Sequence, residues 1–270
     1  AELLIKALVG GRASNVLHVF ELSYQLPKFA MYVMVDPSST KPPAAGVTCV
    51  LPGAAKKVRL WIASTFNTRS PTGNEPEHTV EHAFVSLRDG RPLWLRMTAE
   101  AGGTMQILTE DIELAGEVLQ ALCAALQVVE LESHAEFPQE MEAFRTVLLH
   151  VDEYNAARLK MTAEMADQSN TAKTLVIRAE DARILSDIKA MRAAYAELYT
   201  LNSELMGEYA KRANNHEQLL AALKDVNHMI QKAARLRVGS AKARIVTACR
   251  AAIKANNIHS LFKIMKTGQP

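Results

Sequence analysis

Proline and glycine are nearly missing from the second half of this chain. Eight of the ten prolines and nine of the twelve glycines lie before residue 117, and residues 139–269 contain no proline. Because proline and glycine interrupt helices, this scarcity predicts that these 131 residues are largely helical. One helix of that length would measure about 200 Å at ~1.5 Å per residue, so the segment must fold back on itself or lie against partners.

Several functional classes also lack their usual signals here. No apolar run reaches the ~18 residues of a transmembrane helix. The three cysteines, Cys49, Cys123 and Cys249, are far apart and form no C-x-x-C pair, so we expect a reducing compartment and no structural zinc. No phosphate-binding glycine loop and no G-x-S-x-G motif is present. We therefore expect no catalytic residue, no cofactor and no metal.

The first residues, Ala1 to Lys6, contain no initiator methionine and no signal-peptide pattern. We expect the chain to be a fragment of a longer protein.

Acidic residues are absent after Asp225, which makes the end of the chain strongly cationic. Residues 1–138 carry a net charge of −4 and residues 139–229 carry −3, whereas residues 230–270 hold nine basic and no acidic residues. Such a tail predicts an acidic protein face or an anionic membrane as partner, although a solvated helix face is the alternative. Phe262 is its sole aromatic residue, so we expect no nucleic acid. The candidate docking residues are Arg235, Arg237, Lys242 and Arg244.

The first half of the chain alternates between strand and turn patterns. Strands are expected at residues 3–9, 16–22, 29–35, 47–51, 83–87, 93–98 and 105–108, with extended chain at 128–137. One helix is expected at residues 54–66, where Val58, Trp61 and Ile62 share a face, and another follows Thr109 as N-cap. Residues 27–137 therefore predict a small mixed domain, an antiparallel sheet with two helices on one side.

The helical half shows a 4-3 heptad pattern, which is typical of coiled packing. We take the contact residues to be Ile184, Ile188, Met191, Tyr195, Leu198 and Leu205, and the pattern continues through Asn202, Tyr209, His216, Leu219, Leu223, Val226 and Ile230. A hairpin turn fits near Asn170 or near Asn214, and the pattern leaves both open. Gly239 should stop the long element, Ser240 should cap a short helix, and Asn256-Asn257 should break the chain again.

One segment matches a catalytic pattern by spacing alone. His78-Thr79-Val80-Glu81-His82 fits H-x-x-E-H, in which two histidines share a helix face and bind zinc. Pro76 lies just upstream and a strand is expected from Ala83, which leaves barely one helical turn. We therefore interpret this segment as a loop.

Several segments resemble the Bardet–Biedl syndrome 2 family of BBSome subunits. They are residues 6–11, 18–21, 25–32, 109–116, 179–183, 214–216, 230–233, 235–239, 247–250, 256–258 and 261–265. The most specific match is the C-terminal one, from Asn214-Asn215-His216 through residues 230–233 and 235–239 to residues 247–250, 256–258 and 261–265. The resemblance covers nearly the whole chain and falls away in residues 36–46 and 67–80, so it gives the H-x-x-E-H segment no support.

The resemblance implies an α+β fold made of four parts. Residues 1–26 would be closing strands of an adaptin-ear-like β-sandwich, and residues 27–137 a small adaptin-appendage-like platform. Residues 138–238 would form a long α-helical hairpin or coiled coil, and residues 239–270 short basic C-terminal helices. The β-propeller of the family is absent.

The implied function is non-enzymatic. The family works within a coat-like adaptor that carries membrane proteins into and out of cilia, so we expect a location in the cytoplasm, at the cilium or basal body, and peripherally on the ciliary membrane. Implied partners are the paralogous seventh-numbered subunit, the ninth-numbered subunit, membrane-protein cargo and an anionic membrane surface. From the residues alone, the alternative is a stand-alone coiled-coil scaffold or tether with an α/β cap.

Overall fold

A computed structural model describes residues 2–10, 17–51, 55–68, 79–98 and 103–269. The chain divides into two compact units. One consists of Ala1–Glu140 together with Ile230–Pro270, and the other of Met141–Met229. The fold is α+β, with antiparallel strands in the first half and long helices in the second, as the sequence predicts.

The first unit contains a seven-stranded sheet, which we call the platform sheet. Its strands in chain order are β3 (Phe29–Val35), β4 (Gly46–Val50), β5 (Phe66–Asn67), β6 (Thr79–Ser86), β7 (Pro92–Thr98), β8 (Thr104–Leu108) and β9 (Ser133–Glu136). Across the sheet they lie in the order β5-β3-β6-β7-β8-β4-β9. All neighbours are antiparallel except the two-residue β5, which runs parallel to β3. The helix predicted at residues 54–66 therefore extends one residue too far, because Phe66 belongs to β5.

Two helices cover one face of the platform sheet. They are α1 (Ala55–Thr65) and α2 (Ile112–Leu126), and both contribute to the same apolar core as the inward side chains of the strands. The inward face of α1 is the predicted one, because Val58, Trp61 and Ile62 are buried. Alternation within each strand directs Phe84, Leu95 and similar residues to that core.

The start of α2 differs from the prediction. Its N-cap is Asp111, whose carboxylate accepts hydrogen bonds from the backbone N–H groups of Glu113 and Leu114, and not Thr109. Thr109 is buried two residues earlier, where its N–H donates to the carbonyl of Ala45. An Asp at the N-cap accepts hydrogen bonds from N–H groups that have no partner within the helix. Its negative charge also interacts favourably with the positive end of the helix dipole.

Residues 2–25 form a separate two-stranded ribbon within the same unit. Strands β1 (Glu2–Gly10) and β2 (Leu17–Gln25) are antiparallel, with Glu2 opposite Gln25, and every residue of both strands is exposed. Both strands lie within a residue or so of their predicted start, although β2 runs three residues further than expected. An isolated two-stranded ribbon is only marginally stable in water. The apolar side chains of β1 and β2 are exposed and therefore free to pack against other elements.

The second half of the chain is helical. Helix α3 is Pro138–Ile184, α4 is Ile188–Arg235, α5 is Ser240–Lys254 and α6 is Ile258–Thr267. Helix α3 begins at Pro138. The N–H of the first helical residue has no acceptor within the helix, so the missing N–H of proline costs no hydrogen bond there. Within the described ranges, no helix combines the length and hydropathy needed to cross a membrane.

The helix breaks near the C-terminus are partly as predicted. Asn256-Asn257 separates α5 from α6, and Asn257 caps α6 by accepting a bond from the N–H of Ser260. Ser240 is not a cap, because the N-cap position of α5 is Gly239 and the hydroxyl of Ser240 bonds to Glu130. A glycine is needed there, since φ is 73° and a Cβ would lie 2.5 Å from the carbonyl oxygen of Val129.

Candidate interaction surfaces

The H-x-x-E-H match has no helical geometry in the described residues. Strand β6 starts at Thr79, four residues before the predicted start at Ala83, so Glu81 and His82 belong to a strand and not to a loop. Successive strand residues point to opposite faces. His82 is buried beside Phe84, whereas Glu81 is exposed and pairs with Arg96 at 2.6 Å. His78 lies outside the described residues.

Helices α3 and α4 form an antiparallel hairpin, the helical hairpin, whose turn is at residues 185–187. Neither proposed turn is correct, because Asn170 lies inside α3 and Asn214 inside α4. At the actual turn Ser186 has φ 60°, and the N–H groups of Ser186 and Asp187 donate to the carbonyls of Arg183 and Ala182. This is a Schellman cap. Asp187 then caps α4 by accepting from the N–H of Ala190 at 3.0 Å.

The face of α4 that turns inward repeats in a 4-3 series. Its members are half-buried or buried, namely Met191, Ala194, Leu198, Leu201, Leu205, Glu208, Arg212, Asn215, Leu219, Ala222 and Val226. Three polar contacts cross to α3. Asn215 donates to the carbonyl of Tyr154 at 3.0 Å, Arg212 reaches the sulfur of Met165 at 2.9 Å, and Tyr195 at the rim donates to Glu180 at 3.1 Å. We call this series the inner seam.

The predicted contact residues divide between the inner seam and the surface. Met191, Leu198 and Leu205 lie in the seam and make contacts within the hairpin. Ile188 and Tyr195 are 59% and 42% exposed and lie outside the inner seam, although Tyr195 still contacts α3 through its bond to Glu180. The heptad prediction chose large side chains such as Tyr195. The inner seam instead uses the residue one position earlier, such as Ala194 or Leu201, which lies about 100° around the helix.

The turn of the helical hairpin carries exposed apolar side chains. Ile184, Leu185 and Ile188 are 71%, 79% and 59% exposed, respectively. Three large aliphatic residues within five positions all face solvent, and apolar residues exposed as a group mark contact sites more often than single ones do. The turn is therefore one candidate contact surface, and Leu185 is a member that the sequence pattern did not identify.

Arg237 does not belong to a cationic surface. It is 1% exposed, and its guanidinium donates to the carbonyls of Ala233, Ser133, Met265 and Lys266 at 2.9–3.1 Å. Burial lowers its pKa to about 10, which still leaves it charged at neutral pH. The prediction that Arg237 docks on a partner is therefore wrong, because its donors are used to join β9, α6 and the end of α4.

Two further side chains satisfy carbonyls at the last residue of α4 and just after it. The amide of Gln120 donates to the carbonyls of Arg235 and Arg237 at 2.8 and 2.9 Å, and the hydroxyl of Ser133 donates to the carbonyl of Leu236. The last carbonyls of a helix have no partner within the helix. Residues 230–238 are thus fixed by platform side chains that no local pattern could connect with them.

Much of the remaining tail charge meets acids of the same unit. Lys266 pairs with Glu136 at 2.6 Å, Lys232 pairs with Glu113 at 3.2 Å, and Arg244 pairs with Glu132. In the extended segment before α3, Glu130, Glu132 and Glu136 are all exposed, while Leu131, Ser133, Ala135 and Phe137 are buried. Acids at even spacing in an extended segment share one face, and this signal could have been read from the sequence.

Arg235 and Lys242 are the two predicted docking residues whose side chains are exposed and that take part in no ion pair described above. The cationic surface is therefore smaller than the net charge suggests.

Four family models match this chain in consecutive blocks. A BBS2 GAE domain matches residues 1–29, a BBS2 platform domain residues 32–126, a BBS2 hairpin residues 138–235, and a BBS2 C-terminal helix bundle residues 241–266.

Curated relatives match over almost the whole chain. "BBSome complex member BBS2" of Rattus norvegicus is 41% identical over 99% of the chain, and that of Danio rerio is 43% identical over the same share. "BBSome complex member bbs-2" of Caenorhabditis elegans is 28% identical, again over 99%. The chain spans only 37%, 36% and 38% of the length of these relatives, respectively.

Proposed function

Because the chain belongs to the BBS2 family, we propose that it forms part of a non-enzymatic subunit of the BBSome and acts through contacts with other subunits. The observation that carries this proposal is the ordered series of four BBS2 domain matches, together with identities of 41–43% to proteins named as BBSome complex members. A complex member acts chiefly by binding its neighbours.

We further propose four parts with the boundaries 1–26, 27–137, 138–238 and 239–270. The ranges matched by the family models, 1–29, 32–126, 138–235 and 241–266, support them. The first part, the ribbon of β1 and β2, is exposed on both faces, which supports its completion by chain outside these residues.

The wider role that we propose is that of a coat-like adaptor for ciliary membrane proteins. In this role the protein would work in the cytoplasm, at the cilium or basal body, and peripherally at the ciliary membrane. Its neighbours would be the paralogous seventh-numbered subunit and the ninth-numbered subunit. The exposed apolar turn at Ile184, Leu185 and Ile188 supports a protein contact, since such residues gain most from burial against a partner.

The test is purification of the full-length protein from ciliated cells, followed by mass spectrometry and size measurement. We expect the other BBSome subunits to co-purify in near-equal amounts, with the full-length protein alone monomeric or poorly behaved until its paralogue is added. A stable homodimer that recruits no other subunit would contradict the proposal and favour the stand-alone scaffold.

For the cationic tail, we propose that Arg235 and Lys242 contact an acidic face of a neighbouring subunit. Their side chains are exposed, unlike that of Arg237. In Arg235→Glu with Lys242→Glu, we expect weaker recovery of that subunit and unchanged binding to vesicles that contain phosphatidylserine. The reverse result, with assembly intact and vesicle binding lost, would assign these cations to the membrane instead.

A further inference from the structure

Helix α4 carries a second 4-3 series beside the inner seam. It begins at Ile188 and recurs at intervals of four and three residues up to Leu223, and from Arg192 onward each member lies one position after a seam residue. Seven of its eleven positions hold a large apolar or aromatic side chain, and all seven are 42–77% exposed. The most exposed are Tyr199 at 77%, Met206 at 67% and Tyr209 at 65%. We call this series the outer stripe.

The outer stripe has only a sparse counterpart on α3. The exposed large apolar residues of α3 are Leu149, Leu159, Val176, Ile177 and Ile184. All but Val176 share one 4-3 register, but the seven other positions of that register hold alanine, asparagine or charged residues. The positions of α3 next to its own inward face are mostly charged or polar, for example Arg158, Lys173 and Glu180. Exposed apolar residues scattered singly are normal on protein surfaces. An ordered series on one of two paired helices is not explained by that background.

The spacing of the outer stripe indicates what covers it. A 4-3 apolar repeat sustained over more than three heptads is the pattern by which one α-helix packs against another. From Ile188 to Leu223 the stripe is about 52 Å long at ~1.5 Å per residue. Because the stripe lies about 100° around α4 from the inner seam, a helix bound there would contact α4 beside the face that packs on α3, and Tyr195 would lie at the border through its bond to Glu180.

Gly207 is an independent indication of a close partner. It lies in the middle of α4, next to Met206, and a Cβ at this position would meet nothing within 4 Å. The packing of the hairpin therefore does not require glycine, although glycine inside a helix costs about 0.5–1 kcal/mol relative to alanine. The row beyond the stripe is otherwise small as well, with Ala196, Ser203 and Ala210. Small residues there let the backbone of a second helix approach.

Charge and polar residues narrow the class of partner. Residues 188–223 contain four basic and four acidic residues, so this face lacks the cationic excess by which helices bind anionic membranes. Asn202 and His216 interrupt the stripe at heptad positions. Polar residues at such positions fix register and partner choice in coiled coils, at some cost in stability.

We propose that the outer stripe of α4 binds an α-helix of another BBSome subunit that has its own 4-3 apolar repeat. This inference rests on the proposed function, since the partner is taken from the same complex. The stripe gives α4 two coiled-coil interfaces, one inside the chain and one between chains.

Photo-crosslinking tests the stripe without disturbing the fold. Benzoylphenylalanine replaces Tyr199 or Tyr209 in the full-length protein, which is co-expressed with the other BBSome subunits, and crosslinked peptides are identified by mass spectrometry. Leu149 and Leu159 of α3, which are 51% and 62% exposed, are the matched control positions. We expect the stripe positions to crosslink to one helix of another subunit, at sites about seven residues apart, and the control positions not to. Crosslinks to a second copy, to lipid, or to nothing within an assembled complex would overturn the proposal.

Charge substitutions test the energetic role of the stripe. We expect Tyr199→Glu with Met206→Glu to lower recovery of the crosslinked subunit about tenfold, while Leu149→Glu with Leu159→Glu leaves recovery unchanged. Circular dichroism of each variant checks that the helices are retained. Equal recovery in both pairs would contradict the proposal.

Substitutions at Gly207 provide a third, independent test of the proposal. Gly207→Ala should raise the melting temperature of the helices, whereas Gly207→Leu should retain them and reduce subunit recovery. Undiminished recovery with Gly207→Leu would contradict a close helix approach. If the unmodified protein recovers no BBSome subunit, the proposed function itself fails. If it recovers them and all stripe variants do so equally, only the stripe inference fails.

Discussion

The platform sheet and the helical hairpin bury their apolar residues to different depths. In the platform, Phe84 and Ile107 are fully buried, and the ring of Phe84 stacks on that of Phe66 at 4.5 Å between centroids. In the middle of the hairpin, seam residues such as Leu198 and Leu201 are only half-buried. A sheet with two helices closes a core from several sides, whereas two paired helices cover one stripe each.

This difference leaves the hairpin with more exposed large apolar residues than the platform. The hairpin gains modest stability per residue and leaves most of its circumference open, so one of its helices can carry a second apolar series. The platform buries most of its apolar residues in its own core, although Val50, Leu60, Leu87 and Val129 are exposed. Polar groups of the platform bind residues 230–238. Gln120 and Ser133 donate to carbonyls of this segment, and Arg237 of the segment donates to the carbonyl of Ser133.

We expect the largest difference in the free energy of unfolding when a core residue of the platform and a seam residue of the hairpin are each replaced by alanine. Phe84→Ala should destabilise the platform by about 3–5 kcal/mol through loss of packing and a cavity, whereas Leu198→Ala should cost the hairpin about 1 kcal/mol. Urea unfolding separates the two, because both tryptophans, Trp61 and Trp94, lie in the platform. We expect the fluorescence transition to shift in Phe84→Ala alone. A similar shift for Leu198→Ala would mean that the two regions unfold as one.

A smaller effect is expected where the platform holds the end of α4. Arg237→Met should destabilise this region by about 3 kcal/mol, since the carbonyls of Ser133, Met265 and Lys266 would lose their donor while remaining buried. Arg235→Met is the matched control, because Arg235 is exposed, and should change stability by less than ~0.5 kcal/mol. Equal effects of the two substitutions in thermal unfolding would contradict the role assigned to Arg237.

The two helix turns allow a still smaller comparison. Ser186 and Asn256 have φ of 60° and 50°, and the residue after each donates to a carbonyl five positions earlier at 2.9 Å. Glycine relieves the left-handed conformation, which costs other residues more than asparagine. Ser186→Gly should therefore stabilise the hairpin by about 0.5–1 kcal/mol, and Asn256→Gly should stabilise α5 and α6 by less. Melting followed by circular dichroism measures both, and a larger gain at Asn256 would contradict this account.

The last expected difference concerns thiol reactivity. Burial raises the pKa of Cys49 to about 12 and the pKa values of Cys123 and Cys249 to about 11, while the hairpin contains no cysteine. At pH 8 a disulfide reagent should therefore label the chain only when the first unit opens. Above pH ~9 the unfolded chain loses thiol protons that the folded unit retains, so the stability of this unit falls as pH rises.

We expect Phe84→Ala to speed labelling and Leu198→Ala to leave its rate unchanged. Rapid labelling of the unmodified protein at pH 8 would show that these thiols are accessible in the folded state.

The sequence predicted the elements of the platform well because their signals are local. Strand β3 has the predicted bounds, and α1 buries the predicted face of Val58, Trp61 and Ile62. The break at Asn256-Asn257 was also recognised, since asparagine is a common left-handed residue. The equivalent turn at Ser186-Asp187 was missed because serine is a weak signal for that conformation.

The candidate contact residues were predicted less well than the elements of the platform. The heptad pattern identified apolar residues of α4 correctly but merged the inner seam and the outer stripe into one series. Periodicity shows which residues share a helix face, and it does not show which of two neighbouring faces meets the partner helix. The contacts of Asn215 and Arg212 with α3 made that distinction.

The sequence by itself determined that a strand-rich half precedes a helical half, because proline, glycine and hydrophobic spacing act over a few residues. It also determined that the last part of the chain is cationic. The tertiary structure decided that Arg237 is buried among carbonyls, that Glu113, Glu132 and Glu136 meet the tail cations, and which face of α4 is covered. The three ion pairs join residues more than a hundred positions apart, and the three polar contacts between α3 and α4 join residues up to 61 positions apart. Local sequence signals do not reach over such separations, and only the packed chain brings these residues within bonding distance.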